Sequence, residues 1–313
     1  MKRVFLYCAA ALVLSSCGGC SLGPGPAEPG GEFVLLSYNV HNLFDAADDG
    51  TEYPEYDPGG GKWTPADYAR RLAAVGRAVR ESAPGGPDFA ALMEIENLRV
   101  LEDLRGGPLR NCRYPYILAP PADGAPVRVG VLSRIPVRDA RCHLPAGAGY
   151  PQRPVLEVLL DAGGADLTVF VCHFKSKTEG AERTEESRIL AASAVRRRIG
   201  EILAENPAAD IVVLGDLNEN ADEYERIGGR YPTALMPVGT AHPPEGFLVT
   251  GSRPPEPPAD GKIVLYSPWL DDPPLPGSYL YGERWETIDH ALLASGLFRS
   301  EEHTSELQSR QSI

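Results

Sequence analysis

The sequence predicts one α/β domain of packed sheets with covering helices. Three observations predict it. Short apolar runs outnumber helical patterns, the helical patterns follow strands at wide intervals, and several buried-looking strands stop on Asn, Glu, His or Asp. The 313 residues allow one large domain or two small ones, and 43% hydrophobic content is enough for a sizeable core. The 33 Gly and 30 Pro imply many turns and long loops.

The N-terminus reads as a targeting segment. Lys2 and Arg3 precede an apolar stretch, Val4 to Leu14, that is too short to span a bilayer. Leu14-Ser15-Ser16-Cys17 then resembles a bacterial lipobox, which implies cleavage before Cys17 and lipid on its sulfur. Residues 1–16 are therefore expected to be a lipoprotein signal peptide and 17–32 a flexible Gly/Pro tether. The chain is expected to sit outside the cytoplasm, lipid-anchored to a bacterial membrane, as a monomer. Of the remaining cysteines, Cys112 and Cys142 either pair or stay as isolated thiols, and no zinc-type spacing occurs.

Phe33 to Val40 reads as a first buried strand. A loop rich in Asp, Gly and Pro covers Asp45 to Lys62. Thr64 as N-cap and Pro65 at the first helical position open a helix to Ser82, with Tyr68, Leu72, Val75 and Val79 on one face. Asp88 to Ile95 is a second short strand ending in acid. Tyr116 to Leu118, Val127 to Ser133, Val155 to Leu160 and Leu167 to Phe174 follow as strands. A second helix spans Glu182 to Glu205, with Ile189, Leu190, Ala194, Ile199 and Leu203 apolar. Ile211 to Leu214 is a fully buried strand ending at Gly215-Asp216, Pro232 to Pro276 is loop, and Ile288 to Leu293 is the last strand.

The net charge of −13 makes bulk attraction to long DNA an unobvious property, since phosphate neutralisation drives that binding. A divalent cation can nonetheless supply positive charge locally. A buried strand that stops on an unpaired carboxylate is costly, and four such ends in one chain point to a shared cation. In Gly215-Asp216-Leu217-Asn218, alternation puts Asp216 and Asn218 on the same side, a carboxylate to orient water and an amide to hold a phosphoryl oxygen. Taken alone, that motif is as readily a turn in which Asp and Asn bond their own backbone. His173 ends another strand, where it can donate to phosphate or carry a proton.

The motifs occur in one order. Ser37-Tyr38-Asn39-Val40 with Asn42-Leu43-Phe44-Asp45 comes first, then Met93-Glu94-Ile95-Glu96-Asn97 and Val129 to Arg134. Arg153 to Val158, His173-Phe174-Lys175-Ser176, Gly215 to Glu219 and Trp285 to His290 follow. This order resembles the endonuclease/exonuclease/phosphatase superfamily, with its deoxyribonuclease I-like fold, over residues 33–298. The resemblance implies a four-layer α/β/β/α sandwich of two packed mixed sheets with flanking helices, and a Mg2+ or Mn2+ ion. It implies that Glu94 is the main metal ligand, with Asn39 and Asp289 completing the metal site. It further implies that Asp216 orients or deprotonates water, Asn218 holds phosphate, His173 contacts phosphate, and Asp289 joins the catalytic acids.

One departure stands out. The resembled family ends on a further Ser-Asp-His segment, whose histidine pairs with an aspartate. None follows Asp289-His290, and His303 lacks that context. Residues 299–313 resemble the translation of a sequencing adapter, so the expectation is a domain truncated at its C-terminus and followed by a non-native or disordered tail. The expected activity is metal-dependent phosphodiester hydrolysis, of nuclease type and with nucleic acid or another phosphate ester as substrate. The alternatives are a phosphomonoesterase, a sphingomyelinase-type phosphodiesterase, or a non-catalytic surface-binding lipoprotein.

Overall fold

The computed structural model describes residues 9–14, 32–121, 124–147, 152–240, 245–254, 262–271, 273, 275–302 and 309–312. In chain order the elements are β1 (Ala9–Leu14), β2 (Phe33–Leu43), α1 (Pro65–Glu81), β3 (Phe89–Ile95), α2 (Leu98–Gly106), β4 (Tyr116–Leu118) and β5 (Arg128–Ser133). Next come β6 (Val137–His143), β7 (Val155–Ala162), β8 (Ala165–His173), α3 (Ala181–Glu205), β9 (Asp210–Asp216) and α4 (Glu223–Arg226). The rest are β10 (Leu235–Pro237), β11 (Phe247–Thr250), β12 (Val264–Tyr266), β13 (Tyr279–Tyr281), β14 (Arg284–Glu286), β15 (Asp289–Leu293) and β16 (Ser309–Ser312). One sheet has the order β16-β1-β2-β3-β5-β4, a second the order β10-β11-β12-β15-β9-β8-β7-β6, and β13 pairs with β14 as a hairpin.

The central strands are apolar on both faces because both faces are covered. Leu35, Ala91, Met93, Val169, Val171, Val212 and Leu214 meet between the two sheets. Their neighbours Leu36, Ala90 and Leu92 turn outward onto Val75 and Val79 of α1 and Val100, Leu101 and Leu104 of α2. On the far side Phe170, Ile211 and Val213 turn onto Ala191, Val195 and Ile199 of α3. Helices, sheet, sheet and helix thus stack as the predicted four layers. The α1 start is as read: Thr64 and Asp67 form a reciprocal capping box with Pro at the first turn.

Some elements differ from the sequence reading. Helix α2 was not anticipated; it has nine residues and is capped by Asn97, whose side chain accepts from Val100 N. Strand β6 is an edge strand with five exposed central residues, Arg138 to Cys142, so no apolar run marks it. Strands β10, β11 and β12 fall inside the stretch read as loop, each only three or four residues long. The buried face of α3 includes Thr184, Glu185 and Arg188, so its first turns are packed by polar groups; of the residues expected on its apolar face, Ile199 and Leu203 are buried. The segment read as signal peptide supplies β1, antiparallel to β2, and β16 of the tail lies beside β1. Cys17 and the tether up to residue 31 lie outside the described residues, as does His303. Cys112 and Cys142 are free thiols, the former buried and the latter exposed.

Candidate active site

The row of strands β15, β9 and β8 assembles one half of the site. Asp289 is the antiparallel partner of Asp216, and Asp216 is the parallel partner of His173. Equal register in neighbouring strands puts all three side chains on one face, here the face toward the other sheet. Gly215 permits the close approach: its φ is +140°, and a Cβ there would lie 1.9 Å from Cys172 O.

The other half comes from β2 and β3. Asn39 lies on the inter-sheet face of β2. By simple alternation after Met93, Glu94 would point outward to the helices. The register shifts between Leu92 and Ile95, however, and Glu94 has φ +64°. This bulge turns Glu94 inward and sends Ile95 to the helical side. A non-glycine residue in that region is strained, and such strain concentrates at functional sites. Asn39 Nδ2 then donates to both Glu94 Oε1 (3.1 Å) and Asp216 Oδ2 (2.9 Å), joining the two sheets. Its Oδ1 accepts from His41 N (2.9 Å), which fixes the amide's orientation. As arranged, Asn39 therefore faces the carboxylates as a hydrogen-bond donor and not as an oxygen ligand.

His173 Nε2 lies 3.7 Å from Glu94 Oε1 and 3.9 Å from Asp216 Oδ2. Burial and then the Arg153 charge push its pKa down to about 3, so it is a neutral imidazole at neutral pH. Burial raises Glu94, but His41, His173 and Asn39 outweigh it and hold the carboxyl at about 2. Burial lifts Asp216 to about 6. Asp289 goes well above the usual range through burial and the neighbouring Asp216 charge. Glu94 Oε2 and Asp289 Oδ1 are buried and, among the described residues, lack a hydrogen-bond partner. No Lys or Arg among the described residues forms an ion pair with these three acids. Bare buried carboxylate oxygens are what a hard divalent ion fits, and Glu94 and Asp289 are the oxygen donors that could hold it, although Glu94, Asp216 and Asp289 are not drawn together within 4.8 Å of one another as Asp49, Glu52 and Glu96 are.

Asn218 departs from the expectation. Strand β9 ends at Asp216, and Asn218 has φ +50°, so alternation no longer applies. Its N–H donates to Asp216 Oδ1 (2.8 Å) and its Nδ2 to Phe174 O (3.1 Å). This is the turn chemistry of Asp and Asn; it fixes the Asp216 carboxylate while the Asn218 amide is engaged with backbone. His290 points away, its Nε2–H donating to Glu219 O (2.8 Å), so among the described residues no histidine partners Asp289.

Two site residues were given no role in the sequence reading. Arg153 Nη1 donates to Phe174 O (2.7 Å), and its charge lowers both His173 and Asp216. His41 Nδ1 stands 3.8 Å from Glu94 Oε2. The signals were an Arg at the mouth of β7 and a His two residues beyond Asn39.

Fold and site together define a two-sheet α/β sandwich with buried acidic groups where the two sheets meet. The sequence matches the Endonuclease/Exonuclease/phosphatase family over residues 34–226, and the chain belongs to that family. Among solved structures it resembles truncated TDP2 of Caenorhabditis elegans, with 15% identity, TM-score 0.52, and coverage of 83% of this chain and 82% of that one. It also aligns with the human Nocturnin catalytic domain (13%, TM-score 0.48, 83% and 82%). Sphingomyelinase C of Streptomyces griseocarneus aligns at 18%, TM-score 0.44, over 72% and 77%. At these identities the likeness is one of fold. No curated protein matches the sequence.

Proposed function

We propose that this chain is a divalent-metal-dependent phosphoesterase that hydrolyses phosphodiester bonds, with nucleic acid as the first substrate class. The observation that carries the reading is the amide of Asn39 bridging Glu94 of one sheet to Asp216 of the other, with His173 beside both. Glu94, with Asp289, would hold Mg2+ or Mn2+. When bound, such an ion offsets charge developing on phosphoryl oxygens.

The chain's own residues do the rest. Asp216, its Oδ1 fixed by Asn218 N and its Oδ2 by Asn39, accepts the proton of the attacking water. A pKa raised to about 6 brings it near the range where a base works well at neutral pH. His173, kept neutral, donates to a phosphoryl oxygen without repelling a cation. Arg153 adds a fixed positive charge at the same mouth. The net charge of −13 favours a second reading, a small phosphate monoester or a lipid-headgroup phosphodiester, over a long polyanion.

A substrate panel of DNA, RNA, sphingomyelin, inositol phosphates and nucleotides, each with Mg2+ and with chelator, tests the proposal. The expected result is Mg2+-dependent release of phosphate or nucleotide that falls about 10²- to 10⁴-fold in Glu94→Gln and Asp216→Asn. Undiminished turnover in either variant, or no release from any substrate, overturns it; the latter favours a surface-binding role.

A further inference from the structure

The segment Asp45 to Gly61 contains six acidic residues and no Lys or Arg. Three of these acids, Asp48, Asp49 and Glu55, are exposed, and exposed acids alone mean little. Glu96 is different. It follows the Glu94 bulge, is 2% exposed, and projects into the base of this loop. Its Oε2 accepts from Asp45 N (2.7 Å). Its Oε1 is buried and, among the described residues, has no hydrogen-bond partner. A buried carboxylate oxygen left bare is expensive. Asp49 and Glu52 each bring a carboxylate oxygen to Glu96, all within 4.8 Å of one another.

We propose that Asp49, Glu52 and Glu96 form a second divalent-cation site, a calcium site, separate from the Glu94 cleft and independent of the hydrolase reading. Oxygens bound to one Ca2+ at about 2.3–2.6 Å can lie up to about 5 Å apart, so the cluster is compact enough to share an ion. The donors are all oxygen, two from an irregular loop and one from the residue that follows β3, which suits calcium's variable coordination better than the strict octahedron of magnesium. No Cys or His belongs to the set, which disfavours zinc.

The loop is already shaped for this. Asp45 Oδ1 accepts from Ala47 N (2.6 Å), and Asp45 Oδ2 accepts from Asn97 Nδ2 (3.2 Å), pinning the loop's first residue to the end of β3. Glu52 Oε1 accepts from Asp49 N (2.5 Å), which folds the two acids toward each other. The two acids have different hydrogen-bond and ion-pair partners: Glu94 meets Asn39, His41 and His173, whereas Glu96 meets Asp45 of the loop. The ion would order a loop whose Tyr53 and Tyr56 pack on Phe44 at ring distances of 5.5 and 4.9 Å.

The test uses the full chain, stripped with chelator, titrated with CaCl2 by calorimetry and with Tb3+ by luminescence sensitised by Tyr56 and Trp63. Glu94→Gln is expected to keep one Ca2+-binding event of unchanged affinity. Asp49→Asn with Glu52→Gln is expected to weaken that event on the order of 100-fold. Asp49→Asn alone, at an exposed position that does not endanger folding, is expected to give an intermediate loss. Absence of Ca2+ binding in Glu94→Gln, or equal binding in the double variant, overturns the proposal. Because binding is read without substrate, failure of the hydrolase reading leaves this result interpretable.

Discussion

At the scale of single residues the site hangs on Asn39. Two carboxylates, Glu94 Oε1 and Asp216 Oδ2, face one amide nitrogen. Hydrogen bonds to charged groups contribute about 1.5–3 kcal/mol each. Asn39→Ala removes both bonds and leaves the acids opposed across the sheet interface. The expected consequence is a fall in kcat/KM of about 10²-fold, since each 1.4 kcal/mol is tenfold. Steady-state kinetics on the best substrate of the panel checks it; a variant within twofold of wild type shows that Asn39 does not organise the site. Asn39, Glu94, His173, Asp216 and Asp289 were all legible as residue types at strand ends. What was not legible was how they meet. Strand periodicity places Asp216, His173 and Asp289 correctly, because β8, β9 and β15 are regular to their ends. The same rule misplaces Glu94, because a bulge is a local choice of backbone dihedral and leaves no apolar signature. It also misplaces Asn218, which lies beyond the strand in a left-handed turn.

Elements are held around this site by a buried ionic knot that the helical pattern conceals. Arg188 of α3 is fully buried. Its Nε donates to Glu219 Oε2 (2.7 Å), its Nη2 to Glu185 Oε2 (2.5 Å) and Ala181 O (2.7 Å), and its Nη1 to Thr184 Oγ1 (2.8 Å) and Lys175 O (3.1 Å). Glu185 Oε1 in turn accepts from Ala234 N (2.7 Å) at the start of β10. One guanidinium thus ties the first turns of α3 to the loops that follow His173 and Asp216. Removing one partner of a buried pair strands the other charges and costs about 3–5 kcal/mol. Arg188→Met should lower unfolding free energy by that amount in urea titrations, and a loss under about 1 kcal/mol would show the knot to be passive filling. Arg188→Met with Glu219→Leu should recover part of the loss, because the double change also removes a carboxylate left unpaired. Helix α3 was legible in extent but not in its first turns. A stripe of Thr184, Glu185 and Arg188 looks solvated until the loops that cover it are known.

At the scale of the whole molecule, two uses of the N-terminal residues compete. In the fold, Ala9–Leu14 extends the first sheet as β1 beside β2, in register Leu12 with Leu35. As a sequence the same residues are the apolar core of a lipoprotein signal, with Cys17 three residues beyond Leu14. Both uses cannot hold in one mature chain, because cleavage before Cys17 removes β1 and opens the edge of β2. No helix among the described residues is long and apolar enough to cross a membrane. Lipid on Cys17 would supply attachment, and a single acyl chain holds only marginally. We propose processing at Cys17 with attachment of more than one chain. The expected outcome is a detergent-extracted protein whose intact mass lacks residues 1–16 and carries lipid on Cys17. Cys17→Ala should then move from the detergent phase to the aqueous phase on partition. An unprocessed, lipid-free chain that retains Ala9–Leu14 would settle the matter for β1 as a working strand. Truncation of residues 1–14 from that chain should then lower its melting temperature, since an exposed edge strand loses a ladder of backbone hydrogen bonds.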